Sequence, residues 1–220
     1  MSIVISHVPK TAGTSLIHSL KKHFKKVLVD RNLFNHDLVV EQKPKEFYQG
    51  FDIYYGHSVP NYIHNLSGYK FCMFFRDPVD RVCSHFLMYQ RLYGNRPLDK
   101  IPDNAARKAV THKSILQYSK ETWNTYKYYS CGKSVDQMDM IGFASDSDQY
   151  SKSVRLFNKI FNVNLEVMNM NTAPKKINYV KYLKDQGCYE EVVASQKDNY
   201  ERYNEALVVF ERMCKEHGIY

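Results

Sequence analysis

Apolar residues recur along the chain in two alternating rhythms, short continuous runs and a threes-and-fours spacing, and these set the expected elements. Residues 2–8, SIVISHV, form a β-branched run that suits a buried parallel strand, and Leu16, Ile17, Leu20, Phe24 and Val27 follow at helical spacing. KKVLVDR (25–31) and FDIYYGH (51–57) read as two further strands, the latter closing on Gly56 and His57. YKFCMFFRD (69–77) is almost wholly apolar, which suits a central strand covered on both faces. After it Asp77 predicts an N-cap, Pro78 a first helical position and Asp80 the N3 position. A helix should start abruptly there, with Val79, Val82, Cys83, Phe86 and Tyr93 facing inward.

From about Asp103 to Tyr129 the helical periodicity is patchy, carried by Ala106, Ala109, Val110 and Leu116, and it runs out in the aromatic stretch WNTYKYYSCGK (123–133). DMIGFAS (139–145) predicts another strand, and residues 146–163 place Val154, Phe157, Ile160 and Phe161 on one helix face. LEVMNMNTAPKK (165–176) reads as a strand running into a loop stopped by Pro174, with Lys175 and Lys176 a solvated charge pair. The last helix is the clearest: Tyr200, Tyr203, Leu207, Phe210 and Cys214 form its core stripe and Gly218 its C-terminal stop. Strands alternating with helices, with no repeats or low-complexity linkers, predict an α/β fold. The expectation is a single domain over residues 1–220 with a mostly parallel central sheet flanked by helices.

At 220 residues and 44% hydrophobic content the chain can bury one good core but hardly two. Lys and Arg outnumber Asp and Glu by 31 to 23, a net charge of +8, which favours anionic partners without separating nucleic acid, acidic glycan and nucleotide. Five cysteines without CxxC spacing argue against a complete disulfide framework and for a reducing compartment. The start at Met1 shows no basic n-region or long apolar segment, and nowhere is there a run of about 18 apolar residues. The expectation is a cytoplasmic chain without a membrane span.

Candidate chemistry gathers at two predicted strand ends. HVPKTAGTSL (7–16) lies between the first strand and the first helix, where loop amides and a helix N-terminus bind anions. Gly13 would let the backbone approach a ligand, Thr11, Thr14 and Ser15 add hydroxyl donors, and Lys10 brings charge; His7, just before, reads as a packing residue. The order differs from GxxxxGK[ST], whose Lys serves the outer phosphates and whose hydroxyl serves magnesium. Here Lys10 precedes Gly13 by three positions, and no later apolar strand ends in the acidic residue that a magnesium site needs. The loop is expected to take phosphate without a metal. FFRDPVDRVCSHF (74–86) puts Arg76 at a strand end and Ser84 two helical turns on, so a guanidinium fork and a hydroxyl can converge on a second phosphate. Two such sites at neighbouring strand ends suit a nucleotide substituted at both its 5′ and 3′ positions.

PKTAGTS (9–15) followed by RDPVDRVCSHF (76–86) resembles the paired cofactor motifs of sulfotransferases that use 3′-phosphoadenosine 5′-phosphosulfate (PAPS). The likeness is to the carbohydrate branch, which includes the heparan sulfate 2-O-sulfotransferases. YYGH (54–57) resembles the glycine-histidine step of that group, and WNTYKYYSCGK, MIGFASDSDQYSKSVRLFNKIF and DNYERYNEALVVFERM resemble later segments in order and spacing. The resemblance implies a P-loop-like sulfotransferase fold. It puts Lys10, Thr11, Ala12, Gly13, Thr14 and Ser15 on the 5′-phosphosulfate and Arg76 and Ser84 on the 3′-phosphate, with His57 the general base and Lys10 a catalytic cation. It further implies PAPS as donor, no metal, no nucleic-acid partner, and a hydroxyl acceptor on a glycan or glycoconjugate. Two other readings stay open. A P-loop nucleoside or small-molecule kinase calls for magnesium and a Lys beside the loop's last hydroxyl. A non-enzymatic polyanion-binding or RNA-binding module calls for a basic stripe with aromatics on a sheet face.

Overall fold

The computed structural model describes residues 2–30, 50–57, 59, 68–101, 104–112, 114–122, 124–168 and 177–220. Strands β1 (Ile3–Ser6), β2 (Val27–Asp30), β3 (Ile53–Gly56), β4 (Lys70–Phe75) and β5 (Met140–Phe143) form one parallel sheet in the order β2-β3-β1-β4-β5. Every residue of β1, β3 and β5 is buried, as expected of strands covered on both faces. Ser6 pairs with Gly56 on one side and Met73 on the other, and Phe75 pairs with Phe143, so the carboxyl ends share one edge. The sheet grows from β1 to one side as far as β2, and then the chain crosses to β4 on the other. The end of β1 is thus the switch point, where open α/β sheets hold ligands.

The helices are α1 (Gly13–His23), α2 (Pro78–Tyr93), α3 (Asn104–Thr111), α4 (Ile115–Glu121), α5 (Thr125–Tyr129), α6 (Ser147–Phe161), α7 (Tyr179–Asp185), α8 (Tyr189–Ser195) and α9 (Lys197–Glu216). The start of α2 follows its sequence signals: Asp77 caps it, Oδ1 accepting from the Asp80 amide at 2.9 Å, and Pro78 fills the first position. At the far end of the chain α9 stops at His217, with Gly218 at φ 67°.

Three expectations change. Helix α1 ends at His23: Phe24 is already extended, its amide held by the Leu20 carbonyl, and Val27 opens β2 instead of continuing the helical stripe. Residues 165–168 form no strand. Asn158 takes both backbone groups of Leu165, accepting from its amide at 2.7 Å and donating to its carbonyl at 3.0 Å, and Ser19 donates to the Glu166 carbonyl at 2.8 Å. Side chains satisfy the groups a ladder would have used. Residues 169–176, with Lys175 and Lys176, lie outside the described residues. Tyr93 is only half-buried, and Tyr89 takes its place inside.

The buried apolar residues also divide into two clusters. One fills the sheet and its covering helices; the other joins Val79, Val82, Cys83, Phe86 and Tyr89 of α2 to α3, α4, α7 and α8. The helical segment is amphipathic enough to bury a satellite cluster of its own on the outer side of α2. Cys72, Cys83, Cys131, Cys188 and Cys214 are all free thiols. Among the described residues no helix is long and apolar enough to cross a membrane.

Candidate active site

Because β1 and β3 are in register, His7 and His57 emerge side by side at the carboxyl edge, while β4 runs on past that line to Phe75 before Arg76 leaves it. The His7 amide donates to the Gly56 carbonyl at 2.9 Å, extending the β1–β3 ladder by one residue. Ser6 Oγ donates to the Tyr129 carbonyl at 2.7 Å, tying the end of α5 to the same edge.

From there the chain winds through a tight loop into α1. Lys10 at φ 73° and Ala12 at φ 58° are both left-handed, an arrangement that non-glycine residues adopt rarely and that gathers at ligand sites. Thr11 is fully buried and its Oγ1 donates to the Val8 carbonyl at 2.8 Å, bracing the loop from inside; Thr14 is the exposed hydroxyl. Helix α1 starts after Ala12, which has no capping side chain, and no acidic residue stands in its first turn. Its N-terminal amides and positive dipole end therefore remain suited to an anion.

Gly13 has a role beyond the one its sequence position suggests. A Cβ there would fall 2.0 Å from His7 Nε2 and 2.4 Å from the Tyr55 hydroxyl. The glycine makes room for two rings of the protein itself. His7 stacks on Tyr55 with centroids 4.8 Å apart and leans on His57 at 4.5 Å, while His57 meets Tyr129 edge-on at 6.2 Å. Desolvation first, then the charges of His57 and Lys10, hold the His7 imidazole well below its ordinary pKa, so it stays neutral near pH 7. His7 thus spans the gap between the loop and the candidate base.

Arg76 reaches the same loop. Its Nη1 donates to the Lys10 carbonyl at 3.4 Å, Nη2 lies 3.7 Å from Asp80, and the guanidinium sits 5.8 Å from the centre of the Tyr179 ring. These contacts are long, and Nε is buried without an acceptor, so the fork keeps donor capacity that an oxyanion fits. The backbone of Arg76 is clamped by the Tyr126 hydroxyl, which bonds both its amide and its carbonyl. Lys10 Nζ rests 3.6 Å from Met88 Sδ. Burial, then Arg76 and Arg91, lower the Lys10 ammonium from its ordinary range, as expected of a cation among cations awaiting negative charge.

Ser84 is half-buried on α2, one turn from Asp80 and one turn from Met88, between the contact points of Arg76 and Lys10. The structure therefore brings Lys10, Thr11, Ala12, Gly13, Thr14, Ser15, Arg76, Ser84 and His57 to one edge of the sheet. No protein-family model, curated protein or solved structure matches this chain. Among the described residues no group of His, Cys, Asp and Glu is placed to hold a metal ion.

Sequence reasoning missed Arg81 and His85, both buried on the helix face that carries Ser84. His85 Nδ1 lies 2.8 Å from the Tyr118 hydroxyl, and burial, Arg81, Lys10 and His57 in that order push its imidazole well below the ordinary value. The signal was present as spacing. Arg81, Ser84 and His85 fall at i, i+3 and i+4, a polar stripe on a helix whose other stripe is apolar.

Proposed function

We propose that the protein is a sulfotransferase that moves a sulfuryl group from PAPS to a hydroxyl acceptor, a glycan or glycoconjugate first, without a metal. The observation that carries this reading is the meeting of Arg76 with the Lys10 turn, Nη1 to the Lys10 carbonyl at 3.4 Å, with His57 joined to the same loop region through His7, whose ring lies 4.5 Å away. Two cationic anchors from different strand ends suit a nucleotide charged at both ends of its ribose. The loop amides and Lys10 would hold the 5′-phosphosulfate, and Arg76 with Ser84 the 3′-phosphate. The donor supplies an activated sulfuryl group whose bond to the phosphate oxygen breaks as the bond to the acceptor oxygen forms. Lys10 neutralises the negative charge that grows on the departing phosphate oxygen. His57 takes the acceptor's proton, a contribution of roughly 10²–10⁴-fold for a general base. The free thiols of all five cysteines accord with a reducing cytoplasm as the setting.

A thermal-shift titration with 3′,5′-adenosine bisphosphate against ATP plus magnesium tests the reading. At about 100 times its dissociation constant a ligand adds about 2.7 kcal/mol of stability. The bisphosphate should give this shift without magnesium, and a response to ATP–magnesium alone would replace the sulfotransferase by a kinase.

A further inference from the structure

Arg81 is the one Lys, Arg, Asp or Glu that is buried among the described residues, at 1% exposure. Its Nη2 donates to Thr125 Oγ1 at 3.1 Å, the guanidinium lies 5.6 Å from the centre of the Tyr126 ring, and Nε has no acceptor. No carboxylate among the described residues forms an ion pair with it. The two acidic side chains nearest in sequence are engaged elsewhere: Asp77 caps α2 and accepts from Tyr200 at 2.9 Å, and Asp80 faces Arg76. An arginine cannot relieve its burial by losing a proton, so an uncompensated guanidinium at this depth is costly unless something negative comes near.

The place where that charge acts follows from helical spacing. Ser84 and His85 stand three and four residues after Arg81, and Met88, which touches Lys10, stands seven after it. Arg81 therefore lies on the face of α2 turned toward the loop, behind Ser84. Arg81, Lys10 and His57 all bear on the His85 imidazole, which is consistent with one shared electrostatic neighbourhood.

We propose that Arg81 is a positioning charge whose counter-ion is the phosphate monoester held by Arg76 and Ser84, so that it sets the preference for a nucleotide phosphorylated at the 3′ position. Naming the nucleotide rests on the sulfotransferase reading; the buried charge itself does not. Arg81 does not touch the ligand. Its field reaches the site through low-dielectric protein, where salt screens it weakly.

Calorimetric titration of wild type, Arg81→Met, Arg81→Gln and Arg81→Lys with 3′,5′-adenosine bisphosphate, 5′-AMP and inorganic pyrophosphate, at low and high salt, tests this. Both neutral variants should bind the bisphosphate about tenfold more weakly and 5′-AMP within about twofold of wild type, with the loss persisting at high salt. Arg81→Lys should restore most of the difference, and the melting temperature of the neutral variants without ligand should not fall. Equal losses for both nucleotides, no loss, or neutral variants that fold only poorly would overturn the proposal and leave Arg81 a packing residue. If wild type binds pyrophosphate but neither nucleotide, the PAPS reading falls and the Arg81 effect is read on pyrophosphate. Wild type that binds none of the three overturns both.

Discussion

Replacing Gly13 with alanine probes the link between the anion loop and the candidate base. Helix propensity alone favours the change, since Ala is better than Gly inside a helix by roughly 0.5–1 kcal/mol and Gly13 does not have a positive φ that an alanine would resist. Packing opposes it. The new Cβ would stand 2.0 Å from His7 Nε2, 2.2 Å from His7 Cε1 and 2.4 Å from the Tyr55 hydroxyl, all deep inside van der Waals contact. Neither ring can swing away cheaply, because His7 is held between Tyr55 at 4.8 Å and His57 at 4.5 Å. Overpacking costs about 1–3 kcal/mol, and two rings are struck at once, so after the propensity gain the net loss is about 1–2 kcal/mol. For a chain of this length that is about 2–8 °C in Tm. Urea denaturation of wild type, Gly13→Ala, His7→Ala and the double variant measures it. His7→Ala removes one of the two obstacles and leaves the Tyr55 hydroxyl, so the second substitution should cost less in that background than in wild type, with a coupling of about 1 kcal/mol or more. A single variant within about 0.5 kcal/mol of wild type, or a strictly additive pair, refutes the reasoning.

His85 predicts acid sensitivity. Its folded pKa is depressed below the ordinary histidine value, so its contribution is intact above about pH 6.5 and lost as pH falls below that, at up to about 1.4 kcal/mol per pH unit. Urea midpoints between pH 7.5 and 5.5 should fall less steeply in a His85→Phe, Tyr118→Phe double variant, and parallel slopes would remove His85 as the cause. Lys10, lowered by burial and by Arg76 and Arg91, should regain its proton when an anion binds between its depressed pKa and 10.5. Calorimetry near pH 9 in buffers of different ionisation enthalpy should show proton uptake that Lys10→Met abolishes. Asp77→Ala should cost about 1 kcal/mol through its 2.9 Å cap to the Asp80 amide, read as a lower urea midpoint with an unchanged slope.

The strands were legible because they are short apolar runs, and β1, β2, β3, β4 and β5 each fall inside a stretch that patterning marks. The start of α2 was legible for a local reason: Asp77, Pro78 and Asp80 encode a cap that needs no tertiary partner. What patterning could not supply depends on contacts distant in sequence. Leu165 loses its strand to Asn158, and the helical stripe drawn through Phe24 to Val27 stops at His23, where the chain turns into β2. Helices α7 and α8 bury little more than Leu183, Cys188 and Val192, too few positions for a clear period. In the site, Lys10, Gly13, Arg76 and Ser84 stood out by motif. His7 did not, because its part follows from the ring it meets on β3, and Arg81 did not, because an arginine in a helix usually faces water.

Helix α2 has two jobs on opposite sides. One side carries Arg81 and Ser84 along the wall of the site; the other inserts Val79, Val82 and Phe86 into the satellite cluster shared with α3, α4, α7 and α8. A ligand that stiffens the wall must therefore also stiffen the layer behind it. Backbone amides of α3 and α4, which pack on α2 in the satellite cluster, should exchange with deuterated solvent more slowly once the site is filled, making that outer layer a distant reporter of occupancy.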